Sequence, residues 1–184
     1  MKESLKIISV LTIVCVICAF FLSFVYKNAQ TEIKNNQKKR IEDAIDALAP
    51  QAQTIQKIDI ENQEVYELTD KKDNLIAYAF LAQGQGYQGK IKILAIINSG
   101  LDKLEGIEIV GSIETPGLGA KIQEADFKDQ FKNLMVTVPI ECIKDTPSKK
   151  NQITAITGAT VSSRAVTNIL NKQIKNLKQA LKDR

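Results

Sequence analysis

The chain has 184 residues, room for one domain of ordinary size plus an appendage. Its balance of 44% hydrophobic and 25% charged residues is that of a globular protein and excludes disordered and collagen-like classes, while the absence of His removes His-based triads, imidazole metal sites and His proton shuttles. A net charge of +4 is too even for a nucleic-acid-binding argument, and 5% aromatics with no Trp leave no array of stacking platforms for single strands.

Residues Ile7 to Tyr26 carry no charge, and their polar side chains are hydroxyls and thiols. At roughly 1.5 Å per residue, about 20 residues cross a hydrocarbon core. Lys2 and Lys6 flank the run on one side and Lys27 on the other, with Tyr26 where an interfacial aromatic belongs. No A-x-A site follows, so the run reads as an uncleaved anchor rather than a signal peptide. The positive charges after it (Lys27, Lys34, Lys38, Lys39, Arg40) outnumber those before it, which by charge alone puts the C-terminal bulk in the cytoplasm. Cys15 and Cys18 share one helix face; they are apolar filler or half of a metal site completed by a partner protein. Cys142 stands alone and reads as structural.

Gln30 to Ala49 reads as an amphipathic helix, apolar at Ile33, Ile41, Ala44, Ile45 and Leu48, and Pro50 ends it. This divides the chain into an anchor (1–27), a helical stalk or first helix (28–50) and a domain (51–184). Short strands follow at Val65–Leu68, Leu75–Leu81, Lys90–Ile97 and Leu104–Val110, separated by short turns. Such spacing predicts an antiparallel meander rather than βαβ units, hence an α+β fold with flanking helices. A helix is expected over Ile122–Leu134, a strand over Met135–Val138, a loop over 144–150 and a closing helix over Thr160–Lys182, apolar at Val166, Ile169, Leu170, Ile174 and Leu177.

Three glycine-containing motifs can carry chemistry. Gly84-Gln85-Gly86-Tyr87-Gln88-Gly89 has dinucleotide-fingerprint spacing, but a strand follows where that site requires a helix. It is a hairpin loop, or a loop whose backbone approaches a ligand with Tyr87 lying on it. Glu114-Thr115-Pro116-Gly117-Leu118-Gly119 joins a strand to a helix; it is a plain turn, or one that offers backbone N–H groups to an anion or a heterocycle edge. Thr157-Gly158-Ala159-Thr160-Val161-Ser162-Ser163 opens the last helix, either as a simple cap or as a phosphate site using the first-turn N–H groups and the helix dipole.

The run Thr157-Gly158-Ala159-Thr160 resembles the S/T-G-A-T flavinylation motif of FMN-binding domains, and Glu114 to Gly119 resembles a second signature of that family. Both occur in the family order behind a single anchor. The whole pattern is similar to the G subunit of the Rnf electron transport complex, with the C subunit of the sodium-translocating NADH:quinone reductase as the related alternative. The resemblance implies a covalent FMN joined to Thr160 by a phosphoester. Thr157, Gly158, Ala159, Ser162 and Ser163 would surround the phosphate and ribityl chain. Glu114, Thr115, Pro116, Gly117, Leu118 and Gly119, with Gly86 and Tyr87, would line the isoalloxazine. No resident metal and no catalytic side chain are implied. The chain departs from the motif at Thr154, where the family usually has Asp. The resemblance further implies an electron-transfer component of an ion-translocating ferredoxin:NAD oxidoreductase, with the other Rnf subunits, a flavin transferase and the lipid bilayer as partners and the soluble domain on the extracytoplasmic side. A free-standing extracytoplasmic flavoprotein and a non-redox anchored binding module are the other readings.

Overall fold

The computed structural model describes residues 2–60 and 63–182. The chain divides into two compact units, Met1–Arg40 and Ile41–Arg184. One helix, α1 (Lys2–Leu48), runs through the first unit and into the second.

In the first unit the stretch Glu3–Lys27 is long and apolar enough to cross a membrane, with a mean hydropathy of 2.8. Its large side chains, from Leu5 to Tyr26, are exposed rather than packed. Ser9 and Thr12 return their hydroxyls to the carbonyls of Leu5 and Ile8, both at 2.9 Å. This is how hydroxyls are satisfied where no water reaches them. Cys15 and Cys18 are both exposed free thiols.

The second unit is a three-layer domain around a six-stranded antiparallel sheet. Its strands are β1 (Thr54–Ile60), β2 (Gln63–Thr69), β3 (Leu75–Gln85), β4 (Lys90–Asn98), β5 (Lys103–Ser112) and β6 (Leu134–Met135), in that spatial order. Each neighbouring pair is antiparallel, so the predicted meander is present. Polar turn residues set the hairpins. Asp70 accepts from the backbone of Lys72 and Asn74 at 2.7 and 3.0 Å; hydrogen bonds from the Asn74 side chain and from these two backbone groups hold its carboxyl below the usual range. Asn98 accepts from the backbone of Asp102 and Lys103, both at 3.1 Å.

The sheet is buried on both faces, which explains why β4 is continuously apolar from Ile93 to Ile97. Ile91, Ile93, Ala95 and Ile97 join Phe80, Val166, Leu170 and Leu177 on one face. Leu94 and Ile96 join Leu68, Ala77, Ala79, Ala44 and Ile45 on the other. The first face is covered by α3 (Thr160–Lys182) and the second by the end of α1. α1 stops at Leu48, just ahead of Pro50.

Several expectations need correction. Strand β1 is hidden in the sequence, because Gln56, Lys57 and Asp59 obscure an edge strand in which Ile58 and Ile60 face the core. Ile33 is 49% exposed, so the core-facing stripe of α1 begins nearer Ile41. The helix expected over Ile122–Leu134 is broken into short turns: a 3-10 turn over Gly119–Gln123, α2 (Ala125–Lys128) and another 3-10 turn over Asp129–Phe131. Glu124 adopts an extended backbone (φ −74°, ψ 151°) between them, and Phe127 and Phe131 meet edge-on at 5.4 Å instead of following one stripe. The strand expected over Met135–Val138 is confined to β6 at its start, and Val138 is exposed. A small parallel pair, β7 (Glu141–Ile143) with β8 (Gln152–Thr154), flanks the stretch read as a loop and was not expected; residues 144–150 themselves form no helix or strand.

Candidate functional site

Three segments converge beside the start of α3. The first is the turn between β3 and β4, closed by Gly86 N–H donating to Gly89 O at 2.7 Å. The strand after it removes the helix N-terminus that a dinucleotide fingerprint requires. The second is the turn after β5, where Leu118 and Ala120 both donate to Thr115 O, at 3.2 and 3.0 Å. The third is the entry to α3 itself.

One carboxylate joins them. Glu114 is buried; its Oε1 accepts from the backbone of Tyr87 and Gln88 at 2.8 and 3.1 Å, and its Oε2 accepts from Ser162 Oγ at 2.5 Å. A buried carboxylate is tolerated when its lone pairs are filled this way. Here the bonds come from two separate segments, so the side chain fixes the β3–β4 turn against the helix entry. Gly86 and Gly119 supply the space: a Cβ on Gly86 would run into Glu114 Oε1, and one on Gly119 into Glu114 Oε2 and Ser162 Oγ.

The hydroxyls of the helix entry divide by role. Ser163 Oγ donates to Ala159 O and accepts from Ile156 N, both at 3.0 Å. Ser162 is turned to Glu114. The Thr160 hydroxyl has no hydrogen-bond partner among the described residues, and Thr160 lines a cavity of about 370 Å³. Gly158, Ala159, Ser162, Thr115 and Gly119 line the same cavity. Tyr87, Leu118 and Val161 complete it as an apolar wall that is itself largely exposed. The free N–H groups and positive dipole end of the 23-residue α3 open beside Thr160. A helix N-terminus with small neighbours suits a phosphate, and the apolar wall suits a planar ring. The donor set thus fits a flavin mononucleotide.

The comparisons with known proteins agree with this geometry. Residues 86–175 match the FMN-binding domain family. The G subunit of the ion-translocating oxidoreductase complex of Methanosarcina acetivorans is 31% identical, across 94% of this chain and 94% of its own length. This chain belongs to that family of G subunits. The G subunit of the proton-translocating ferredoxin:NAD(+) oxidoreductase complex of Clostridium ljungdahlii is 32% identical, across 85% of this chain and 82% of its own. Among solved structures, the C subunit of the Na(+)-translocating NADH-quinone reductase of Parabacteroides distasonis superposes with a TM-score of 0.57 at 21% identity, covering 65% of this chain and 62% of that one. Shewanella oneidensis NqrC gives a TM-score of 0.55 at 16% identity, covering 68% and 64%. At those identities the likeness is one of fold.

Within this FMN-binding domain the remaining predicted residues sit outside the cavity lining. Thr157, Pro116 and Gly117 are exposed and do not line the cavity. Glu114, Gly86 and Ser163 lie behind the lining as its support. Sequence reasoning misses Val161 and Gln88. Val161 has a readable signal: it is apolar yet off the stripe of Val166, Ile169, Leu170 and Ile174 that faces the core. Gln88 contributes only its backbone N–H, for which side-chain chemistry gives no sign. Thr154, where the family motif usually has Asp, donates through its hydroxyl to Asp145 O at 3.1 Å and through its backbone N–H to Gln130 Oε1 at 2.7 Å. No group of three or more potential metal ligands occurs among the described residues. Cys142 lies part-buried near Arg164; burial pushes its thiol pKa up, and the guanidinium charge offsets this in part.

Proposed function

We propose that this chain is a membrane-anchored carrier of covalent FMN that relays electrons within an ion-translocating ferredoxin:NAD oxidoreductase complex. The observation that carries the reading is the division of hydroxyls at the start of α3. Ser162 and Ser163 are consumed by internal bonds, while Thr160 lines the cavity unpaired among the described residues. A hydroxyl left free beside a helix N-terminus is placed to become a phosphoester, with the first-turn N–H groups holding the phosphate oxygens.

Bound FMN would supply one- or two-electron transfer at this cavity. The protein's part is to hold and orient. The Glu114 clamp keeps the Tyr87 turn and the helix entry in register, and Leu118 and Val161 offer an apolar wall. The relatives named as G subunits of ferredoxin:NAD(+) oxidoreductase complexes support placing this chain among other subunits. The N-terminal apolar helix supports a membrane location. The extracytoplasmic side is favoured because flavinylation of the resembling family takes place there; the basic residues after the anchor weigh the other way. Attachment would need a flavin transferase and a donor carrying FMN as a phosphoanhydride: the Thr160 Oγ–P bond forms as the anhydride P–O bond breaks, the donor's other phosphate leaves and the hydroxyl proton is lost, with the exposed Thr157–Gly158 turn accessible to the enzyme.

The deciding experiment is the intact mass of the protein purified from its native membrane, beside Thr160→Ala and, as a control on exposed β1, Thr54→Ala. The expected result is an increment of one FMN less one water, retained in Thr54→Ala and lost in Thr160→Ala. A native-source protein with no increment would leave the helix entry as an ordinary cap and remove the carrier reading.

A further inference from the structure

A second concavity lies away from the flavin cavity, between the C-terminal half of α3 and residues 136–139. At about 570 Å³ it is larger than the cavity at Thr160. Its floor is apolar, from Val136 and Ile174, both buried. Val138 stands on its lip, 52% exposed. Its rim is cationic: Lys172, Lys175, Lys178 and Lys182 follow one another at three- and four-residue spacing along one flank of the helix. No carboxylate lines the groove among the described residues, and α3 from Thr160 to Lys182 contains no acidic residue at all.

Lys182, in the last turn, complements the helix dipole, but Lys172 and Lys175 lie too far from the C-terminus to do so. Like charges at these spacings repel, and a solvated helix stabilised by its own surface would alternate Glu with Lys. The walls, in contrast, are braced. Lys178 Nζ donates to Val136 O at 2.6 Å, and the Asn171 amide donates to Ile140 O at 2.9 Å and accepts from Ile140 N at 2.8 Å. The groove therefore exists before anything enters it, which lowers the ordering cost of binding.

We infer that this groove docks an acidic segment of a neighbouring protein subunit, with an apolar side chain seated on Val136 and Ile174 and carboxylates paired to Lys172, Lys175 and Lys182. Charge complementarity sets the sign of the partner, and the concave apolar floor sets its class. A lone phosphate would use the lysines and leave the floor empty. A bilayer surface is broad and does not enter a braced concavity. The inference rests on the reading of the chain as part of a multi-subunit complex, and it is independent of the flavin.

Carbodiimide joins lysine amines to carboxylates in direct contact with them. Applied to native membranes holding the assembled complex, and followed by peptide mass spectrometry, it is expected to link Lys172, Lys175 or Lys182 to Asp or Glu of another subunit, next to an apolar residue. Lys172→Glu/Lys175→Glu is expected to lower retention of the chain by the complex about tenfold, more at low salt than at high, because both lysines are rim charges on the surface. Lys71→Glu, on the exposed β2–β3 turn, is the control and is expected to change nothing. Cross-links to other subunits only from lysines outside the groove, with retention of the double variant unchanged, would overturn the groove and leave membership of the complex standing. No intersubunit cross-link from any lysine of the chain would remove both.

Discussion

Glu114 carries more of the site than its place in a turn motif implies. Replacing it with Ala leaves the buried Ser162 hydroxyl and two part-buried backbone N–H groups without their acceptor. Each such orphan costs on the order of 1–3 kcal/mol, so Glu114→Ala is expected to lose about 3 kcal/mol in a denaturant titration after some rehydration. The same variant should weaken FMN incorporation without touching the cavity lining. An unchanged midpoint would mean that the three bonds contribute nothing net. Cys142 gives a pH-dependent expectation. Its thiol pKa is raised by burial, so at any given pH its thiolate fraction lies below that of an ordinary cysteine. Alkylation of the folded protein by iodoacetamide should therefore be slower at Cys142 than for a small thiol at about pH 8, and should speed up as pH rises further. Equal rates at the lower pH would show that burial does not govern this group.

At the scale of elements, the close approach of the turn after β5 to the start of α3 is made possible by a missing side chain. Gly119→Ala places a methyl against Glu114 and Ser162, so the turn and helix must separate. Overpacking of this kind costs about 1–3 kcal/mol. The expected sign of damage is a lower melting temperature together with reduced flavin content, while Gly100→Ala, with ordinary van der Waals distances around it, serves as a mild comparison. The elements that can be read from the sequence are those whose pattern is local. The closing helix shows its stripe at Val166, Ile169, Leu170, Ile174 and Leu177, and the central strands show runs of β-branched residues. Strand β1 and the parallel pair β7–β8 are not legible, because each is a short stretch of mixed polarity whose only reason to be extended is the neighbour it pairs with. The 122–134 segment misleads for the opposite reason. Its apolar spacing is compatible with a helix, but packing Ile122, Phe127 and Phe131 under the sheet requires a break at Glu124.

For the whole molecule, the structure ties the end of α1 to the domain core, since Ala44, Ile45 and Ala49 cover Leu68, Leu94 and Ile96. A fragment spanning 41–184 is expected to fold cooperatively without detergent, whereas one spanning 51–184 should lose about 4 kcal/mol or more, from one Ile, two Ala and the sheet face they cover. Equal stability of the two fragments in urea would show that the helix end is not part of the core. Sidedness is a separate test at this scale. A cysteine placed at exposed Lys149 should react with a membrane-impermeant maleimide in intact spheroplasts. Labelling only after lysis would put the domain in the cytoplasm, as the basic residues after the anchor argue.

The sequence by itself determined the apolar N-terminal helix, the meander and the closing amphipathic helix with Thr-Gly-Ala-Thr at its head, because each is written in contiguous residues. A run of uncharged side chains, alternation between turns, and Thr-Gly-Ala-Thr before an amphipathic stretch act through near neighbours. What only the tertiary structure decided is which of those residues line a cavity. Glu114, Gly86 and Ser163 lie beside residues that line it and yet are not part of the lining, because a buried carboxylate and a buried hydroxyl must find partners within the protein. The partners of Glu114 lie 26, 27 and 48 residues away from it, so no local pattern carries them, whereas Ser163 finds its partners within seven residues. The cationic groove has the same origin. Its lysines are visible in the sequence as a stripe, but the apolar wall opposite them comes from residues 136–139, which only folding brings alongside.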